Sequence, residues 1–280
     1  MALNKTILAS LAVSLGLSLT PALAAEGKLP AKDIKFTFEG PFGTFDRGQL
    51  QRGYQVYKDV CAACHSAHYL RFRNLGEPGG PEFSEAEVKA IAAGFQVQDG
   101  PNDSGDMFER PGLPSDKFVS PFANDQAARA SNGGALPPDL SLITKARAGW
   151  TGSPWTLYTT QLFKGVGGPE YVYSVLTGYS DPPAELKEGA PEGKSYNPYF
   201  ENGPWISMPP PLTDGGVTYG DETPATVDQQ ARDVSAFLAW AAEPKMEERK
   251  RAGFQVLLYM AVLTVLLYLT KRMIWGRVEH

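Results

Sequence analysis

The chain has 280 residues and a formal net charge of −5, with 42% hydrophobic and 20% charged residues, which is ordinary globular composition. It is long enough for one large or two small domains, and no internal repeat is visible, so a solenoid architecture is excluded. The 29 glycines and 23 prolines argue against a continuous sheet. We therefore expect a mainly α fold with long loops.

Residues 1–24 are predicted to form a secretory signal peptide. Lys5 lies in a short basic start, an apolar run extends from Ile7 to Leu19, and small residues near Ala24 suit cleavage at Ala24 or Ala25. The alternative is an uncleaved membrane anchor. The apolar run is short for a membrane span and lacks strongly charged flanks, which favours cleavage.

The first predicted helix of the mature chain follows Asp46, which can cap it. Its apolar residues recur at spacings of four, three and four, as Leu50, Tyr54, Tyr57 and Cys61. Gly53 lies in the same helix. It either allows a second helix to approach closely, as in the first helix of ordinary cytochrome c domains, or is simply a small residue, and both readings stay open.

This helix leads into Cys61-Ala62-Ala63-Cys64-His65, the attachment signature of a c-type haem. At this spacing, the two thiols and the imidazole converge on one side of a helical turn. The thiols can form thioethers with the haem vinyl groups, and His65 can become the proximal iron ligand. We therefore predict one covalently bound haem c.

Two other readings of this motif are a redox-active cysteine pair and half of a zinc site. The first requires an alternating strand and helix pattern that is missing nearby, and the second requires further ligands, whereas the chain has two cysteines and three histidines. His68 lies too close in sequence to His65 to reach the opposite haem face. We interpret it as a surface or hydrogen-bonding histidine.

Residues 76–131 are rich in glycine and proline, and we expect loops there with one short helix. The helix follows the capping box that begins at Ser84 and ends at Glu87, with Val88, Ile91 and Phe95 on one face. The segment is also acidic, and it is either a solvated face or a docking surface for a basic partner. Its acidic residues are Glu82, Glu85, Glu87, Asp99, Asp103, Asp106 and Glu109.

The tandem prolines Pro137 and Pro138 stiffen the next loop, so that a carbonyl there can accept a hydrogen bond from the N–H of a proximal imidazole. The surrounding residues Asn132 to Ser141, with Lys145-Ala146-Arg147-Ala148-Gly149 after them, resemble the cytochrome c1 family. Residues 162–178, a glycine-rich turn followed by an aromatic-rich helix or strand, are similar to the next block of that family. We interpret most of that block as structural packing.

Met208 is the predicted second iron ligand, and elimination supports it. Met1 leaves with the signal peptide, Met246 borders the membrane, and Met260 and Met273 lie in or beyond the anchor. The remaining alternative, Met107, lies among acids and glycines, whereas three prolines after Met208 stiffen its loop. Met208-Pro209-Pro210-Pro211-Leu212 also matches the cytochrome c1 family.

A last amphipathic helix is predicted after the capping box Thr226-Val227-Asp228-Gln229, with Pro244 ending or bending it. By similarity to cytochrome c folds, it packs against the first helix. Residues 252–270 contain no charge and are long enough to span a membrane. The basic residues on the two sides leave the orientation ambiguous, so we infer it from the signal peptide.

The resemblance covers essentially the whole mature chain and implies a cytochrome c-like haem domain with one C-terminal transmembrane helix. It assigns Cys61 and Cys64 to the haem thioethers, His65 and Met208 to the iron, Arg147 to a propionate and Pro138 to the support of His65. The expected divisions are a signal peptide at 1–24, a periplasmic haem domain at 25–251, an anchor at 252–270 and a cytoplasmic tail at 271–280.

By the same resemblance, the chain is an electron-carrier subunit of quinol–cytochrome c oxidoreductase, the bc1 complex, and performs no bond chemistry itself. Its expected partners are cytochrome b, a Rieske iron–sulfur subunit, a cytochrome c acceptor and the bacterial inner membrane, in a dimeric complex without nucleic acid. The competing hypotheses are another membrane-tethered c-type cytochrome and a haem-based gas sensor. A sensor requires an open or labile sixth iron position.

Overall fold

The structure, a computed structural model, describes residues 29–150 and 153–276. The predicted signal peptide at 1–24 lies outside the described residues. The described chain is mainly helical with long loops, as expected. Its longer helices are α1 (Arg47–Asp59), α2 (Glu85–Ala93), α3 (Asp125–Ser131), α5 (Pro154–Lys164), α6 (Gly168–Leu176), α8 (Val227–Ala242) and α9 (Met246–Trp275).

Short elements connect these helices. Two single-turn helices, α4 (Ile143–Ala146) and α7 (Ala184–Lys187), and two 3₁₀ segments, Cys61–Ala63 and Phe72–Gly76, lie in the loops. Two small antiparallel hairpins pair β1 (Gln96–Asp99) with β2 (Phe108–Pro111) and β3 (Ser195–Tyr196) with β4 (Trp205–Ile206). Both hairpins are too small to form a core of their own, so the helices supply it.

The helix ends show why the sequence folds locally as it does. The Asp46 side chain accepts a hydrogen bond from the Gln49 amide at 2.9 Å, which confirms the predicted cap of α1. Ser84 and Glu87 form both bonds of the predicted capping box of α2. At α8, Thr226 accepts from the Gln229 amide at 3.2 Å, but the reciprocal half of the predicted box is missing. The Gln229 side chain donates to the buried Asp233 instead, at 2.9 Å.

The region 76–131 contains more structure than the sequence predicted. Besides α2, it forms the β1–β2 hairpin and helix α3. Helix α3 begins where the Asn124 side chain accepts from the Ala127 amide at 2.9 Å. The hairpin is held by Arg110, which pairs with Asp99 on the facing strand and with Asp116 beyond it. These elements are too short for a hydrophobic periodicity to reveal them.

The core lies where α1 crosses α8. Leu50, Tyr54 and Tyr57 of α1 are buried, as are Val234 and Phe237 of α8. Gly53 allows this crossing, because a Cβ at its position would lie only 2.1 Å from the backbone oxygen of Asp233. Of the two readings left open by the sequence, close helix approach is therefore confirmed. The packing of first and last haem-domain helices is confirmed as well.

The C-terminal helix α9 continues past the haem domain. Helix α8 ends at Ala242, before Pro244, and α9 then runs for 30 residues. Among the described residues, α9 is the one helix long and apolar enough to cross a membrane, and none of its apolar stretch is buried inside the structure. Its start still packs on the preceding part of the chain. Met246 is buried, and Arg47 forms two hydrogen bonds with Glu247, at 2.7 and 2.9 Å.

Glu170 in the first turn of α6 is a buried carboxyl group whose Oε2 atom has no hydrogen-bond partner among the described residues. Burial raises its pKa to about 7, and the negative charges of Glu39 and Asp33 add to this effect against the opposing Lys164. The protonated carboxyl is therefore favoured in the folded state. Its contribution to stability is complete below the unfolded pKa, near 4.5, and is lost as the pH rises through 7.

We expect Glu170→Gln to remove this pH dependence. The stability difference between variant and parent should change by roughly 3 kcal/mol in favour of the variant between pH 4.5 and pH 8. Urea unfolding followed by circular dichroism at several pH values measures it. Glu188→Gln, at an exposed carboxyl on the loop after α7, is the matched control and should show no such change. A parallel pH profile for parent and Glu170→Gln would contradict the assignment.

Candidate haem site

The predicted haem attachment residues follow α1 directly. The helix ends at Asp59, and a 3₁₀ turn over Cys61–Ala63 follows it, so the motif does not lie on α1 itself. The amides of Cys64 and His65 both donate to the Cys61 carbonyl, at 3.1 and 2.8 Å. Cys61 and Cys64 are both free thiols, with Cys61 half-buried and Cys64 exposed. The turn thus presents two unpaired thiols beside the imidazole of His65.

The surroundings of Cys61 and His65 both favour uncharged side chains. Burial raises the pKa of Cys61 to about 12, so its surroundings favour an uncharged sulfur, and a thioether is uncharged. Burial also lowers the pKa of His65, which favours the neutral imidazole that binds iron. The donor set therefore fits a covalently attached haem with an imidazole ligand.

The tandem-proline loop holds the imidazole of His65. Its Nδ1 lies 2.8 Å from the carbonyl oxygen of Pro138, the contact expected of a carbonyl that supports a proximal histidine. With Nδ1 donating its proton, the lone pair of Nε2 remains free for a metal. A cavity of about 250 Å³ opens beside this site, and Cys64, His68, Leu136 and Pro137 are among its lining residues.

Asp139 fixes that loop to the segment after His65. One carboxylate oxygen accepts from the Ser66 hydroxyl at 2.8 Å, from the His68 amide at 2.9 Å and lies 2.7 Å from His68 Nδ1. The other oxygen accepts from the Ser141 amide at 2.8 Å. Burial opposes the ionisation of Asp139, but the hydrogen bonds from Ser141 and His68 outweigh it and lower the pKa to about 2.

Asp139 lies within the Asn132 to Ser141 stretch, where the local sequence does not indicate its contacts with distant residues. The Ser141 amide donates to the Asp139 carboxylate, and this bond to the backbone two residues further on is an Asx turn. The partners Ser66 and His68 lie more than 70 residues away, and no local pattern reveals them. The prediction that His68 is a hydrogen-bonding histidine is confirmed by its contact with Asp139.

Met208 lies after the small hairpin β3–β4. The hairpin is tied to α6 by Asn197, whose side-chain amide donates to the Val175 carbonyl at 2.7 Å. The Tyr179 hydroxyl donates to the Met208 carbonyl at 3.1 Å. The Met208 side chain is half-buried and packs on the same hydrophobic core as Cys61. Met107 is 54% exposed, so Met208 is the better placed of the two methionines to bind a haem iron.

Comparison with known proteins decides the family. The cytochrome C1 family model matches residues 36–278. The chain belongs to this family. The cytochrome b/c1 of Bradyrhizobium diazoefficiens is 54% identical over 92% of the chain, which spans only 37% of that relative. The cytochrome c1 of Cereibacter sphaeroides is 46% identical over 96% of the chain and 94% of its own length. That of Rhodospirillum rubrum is 45% identical over 92% of both chains.

Family membership indicates the cofactor, the complex and the general activity. A cytochrome c1 carries a covalently bound haem c, belongs to the bc1 complex and works in electron transfer, and α9 is a candidate membrane anchor. The Cys61 to His65 turn has the residue pattern of c-type haem attachment.

Arg147 has a protein partner. Its Nε lies 2.7 Å from a carboxylate oxygen of Glu201, and both side chains are partly exposed. The predicted pairing with a haem propionate therefore stays a prediction, and a propionate would share the guanidinium with Glu201. A guanidinium presents five N–H donors, so it can serve two carboxylates at once.

Proposed function

We propose that the chain passes single electrons from a Rieske iron–sulfur subunit to a cytochrome c within the bc1 complex. The observation that carries the proposal is the His65 imidazole held by the Pro138 carbonyl directly behind two free thiols. A bound haem with histidine and methionine ligands supplies a one-electron couple with little structural change. No residue of the site needs to act as an acid or base.

Each site residue has a defined task in this proposal. Cys61 and Cys64 would hold the haem covalently, and His65 and Met208 would bind its iron. Pro138 fixes the tautomer and orientation of His65 through the 2.8 Å contact with Nδ1. Arg147 would donate hydrogen bonds to a propionate while it keeps its ion pair with Glu201. The Met208 loop is stiffened by three prolines, so little entropy is lost in presenting its thioether.

The proposal extends to the setting of the chain. Its haem domain, residues 25–251, faces the bacterial periplasm, α9 crosses the inner membrane once, and residues 271–280 lie in the cytoplasm, within a dimeric complex. The predicted signal peptide supports this orientation. The relative named cytochrome b/c1 supports cytochrome b as a partner.

Purification through this chain after gentle solubilisation tests the proposal. A dihaem cytochrome b and a Rieske protein should accompany it, and quinol should reduce its haem through them. Isolation of the chain with an oxidase in their place would favour the other tethered cytochrome. A stable methionine-to-iron charge-transfer absorption in the oxidised protein would count against a gas sensor.

The boundary of the haem domain gives a separate prediction. Truncation after Arg251 should release a soluble haem protein, because it keeps the Arg47–Glu247 pair and the buried Met246. Truncation after Glu243 removes both, and loss of a large buried side chain typically costs about 2–5 kcal/mol. Thermal unfolding of the two products compares them. Equal thermal stability of the two truncated proteins would show that the haem domain ends before Met246.

The predicted acidic docking surface gives another prediction. Residues 25–270 carry 22 basic and 30 acidic residues, a net charge of −8, which should speed the encounter with a basic cytochrome c. Several acids of the cluster are engaged within the structure: Glu82 pairs with Arg47, Glu85 pairs with Lys89 and Glu87 caps α2. Asp103, Asp106 and Glu109 are exposed and better suited to docking.

We expect the rate of acceptor reduction to fall as ionic strength rises, because at 0.1 M salt the attraction between exposed charges more than about 10 Å apart is largely screened. Neutralising Asp103, Asp106 and Glu109 to their amides should flatten that dependence in stopped-flow measurements. Neutralising the exposed acids Asp181, Glu188 and Glu192 changes the net charge equally and serves as the control. An equal response of both triple variants would assign docking to net charge alone.

A further inference from the structure

Helix α5 presents large aromatic side chains to its surroundings. Trp155, Tyr158 and Phe163 are 77%, 64% and 58% exposed. The rings of Trp155 and Tyr158 stack with their centroids 6.4 Å apart. Every described side chain of α5 is exposed or half-buried, so the helix contributes almost nothing to the core of the haem domain.

This aromatic helix also lacks the charges of a solvated surface. Between Ala148 and Pro169 the sequence contains one charged residue, Lys164, although a fifth of the chain is charged. Lys164 itself forms an ion pair with Asp33 and lies 5.2 Å from the centre of the Trp150 ring. An uncharged aromatic face of this kind is typical of an interaction surface.

The loop over residues 38–43 joins α5 to the membrane helix. The Gly40 amide donates to the Phe163 carbonyl at 2.6 Å. On its other side, the Phe42 ring, which is 74% exposed, lies 5.6 Å from the ring of Phe254 in α9. Lys250, one turn before Phe254, donates to the carbonyls of Phe38 and Gly43, at 2.6 and 3.0 Å.

Phe254 is the third residue of the uncharged stretch 252–270, so this contact lies where α9 enters the membrane. Phe42 and the end of α5 are therefore continuous with the membrane surface. Tryptophan and tyrosine favour that interface, because their rings suit the apolar side and their polar groups suit the headgroups. An uncharged helix with exposed aromatic side chains can rest on it.

We propose that Phe42, Trp155, Tyr158 and Phe163 form an aromatic ledge that inserts into the lipid headgroup region beside the anchor. The ledge gives the haem domain a second contact with the bilayer, so that the domain is held at a fixed height and tilt. This inference rests on the membrane anchor and is independent of the electron-transfer partners.

Collision measurements on nitroxide labels test the ledge. The label is attached at Trp155→Cys in the full-length protein with its haem, because the haem then occupies Cys61 and Cys64 and leaves them unlabelled. The labelled protein is reconstituted into phosphatidylcholine vesicles. Leu258→Cys within the anchor is the lipid reference, and Glu188→Cys is the water reference. Electron paramagnetic resonance saturation by oxygen and by a water-soluble nickel chelate reports the surroundings of each label.

We expect nickel collisions at Trp155→Cys to be several-fold rarer than at Glu188→Cys, with oxygen collisions at least as frequent. Frequent nickel collisions would show that the face is in water. Rare collisions with both probes would show burial against a protein, either a second copy or another subunit. Both results overturn the proposal. Tyr158→Cys and Phe42→Cys repeat the test, and an unchanged haem absorption spectrum shows that each variant is folded.

Discussion

Replacement of Met208 by leucine is expected to leave the haem covalently attached while its reduction potential falls sharply. The proposed thioethers of Cys61 and Cys64 do not depend on the proposed Met208 ligand, so the protein should still incorporate haem. A methionine thioether favours the reduced iron and raises the potential. Its loss should lower the potential by a sizeable part of the roughly 0.8 V range that axial ligands control.

Redox titration and absorption spectroscopy of Met208→Leu measure both effects. Leucine has a similar volume, and the backbone contact from the Tyr179 hydroxyl to the residue 208 carbonyl does not require the sulfur, so the loop should keep its conformation. Electron acceptance from the proposed Rieske partner should fail, because the driving force is lost.

Met107→Leu is the matched control for this experiment. Its side chain is 54% exposed and lies beside Gly100, so the same substitution there should leave the potential and the spectrum unchanged. A wild-type potential in Met208→Leu together with a lowered one in Met107→Leu would reverse the assignment of the sixth ligand.

The sequence predicted the parts of this site that depend on neighbours in the chain. Cys61, Cys64 and His65 lie on one turn because their spacing requires it, and Asp46 and Ser84 cap helices through residues three positions away. The Pro138 contact with His65 spans 73 residues, and the loop was identified because tandem prolines restrict the backbone in a recognisable way.

Contacts that depend on the meeting of distant segments were not predictable. Asp139 holds its loop to Ser66 and His68, more than 70 residues away, and Glu201 pairs with Arg147. Each of these polar side chains has several geometrically possible partners in the sequence. The choice is made only when the helices and loops have packed.

Replacement of Gly53 by alanine is expected to destabilise the protein strongly, because Gly53 lies where helices α1 and α8 touch. Alanine is the better helix former by about 1 kcal/mol, so a helix that was merely tolerating glycine would gain stability from Gly53→Ala. The added Cβ would instead lie 2.1 Å from the Asp233 carbonyl oxygen and 2.7 Å from Cβ of Phe237. Backbone atoms cannot rotate away, so the two helices must separate.

Separation of the helices also stretches contacts beside the glycine. Arg52 binds the fully buried carboxylate of Asp233 at 3.0 Å, and the rings of Tyr57 and Phe237 pack with centroids 5.6 Å apart. Overpacking of a core typically costs about 1–3 kcal/mol, and the backbone clash places Gly53→Ala at or above the upper end of that range. The Cys61 turn follows α1 directly, so haem retention should weaken with it.

Gly48→Ala makes the same substitution in the same helix and separates the two causes. A Cβ at Gly48 would meet no atom closer than 3.4 Å, so the variant should be neutral or more stable by up to about 1 kcal/mol. Urea unfolding followed by haem absorption and circular dichroism should therefore show a lower midpoint for Gly53→Ala and an unchanged or higher midpoint for Gly48→Ala. If Gly53→Ala were instead as stable as Gly48→Ala, α1 and α8 could not cross as closely as the structure shows.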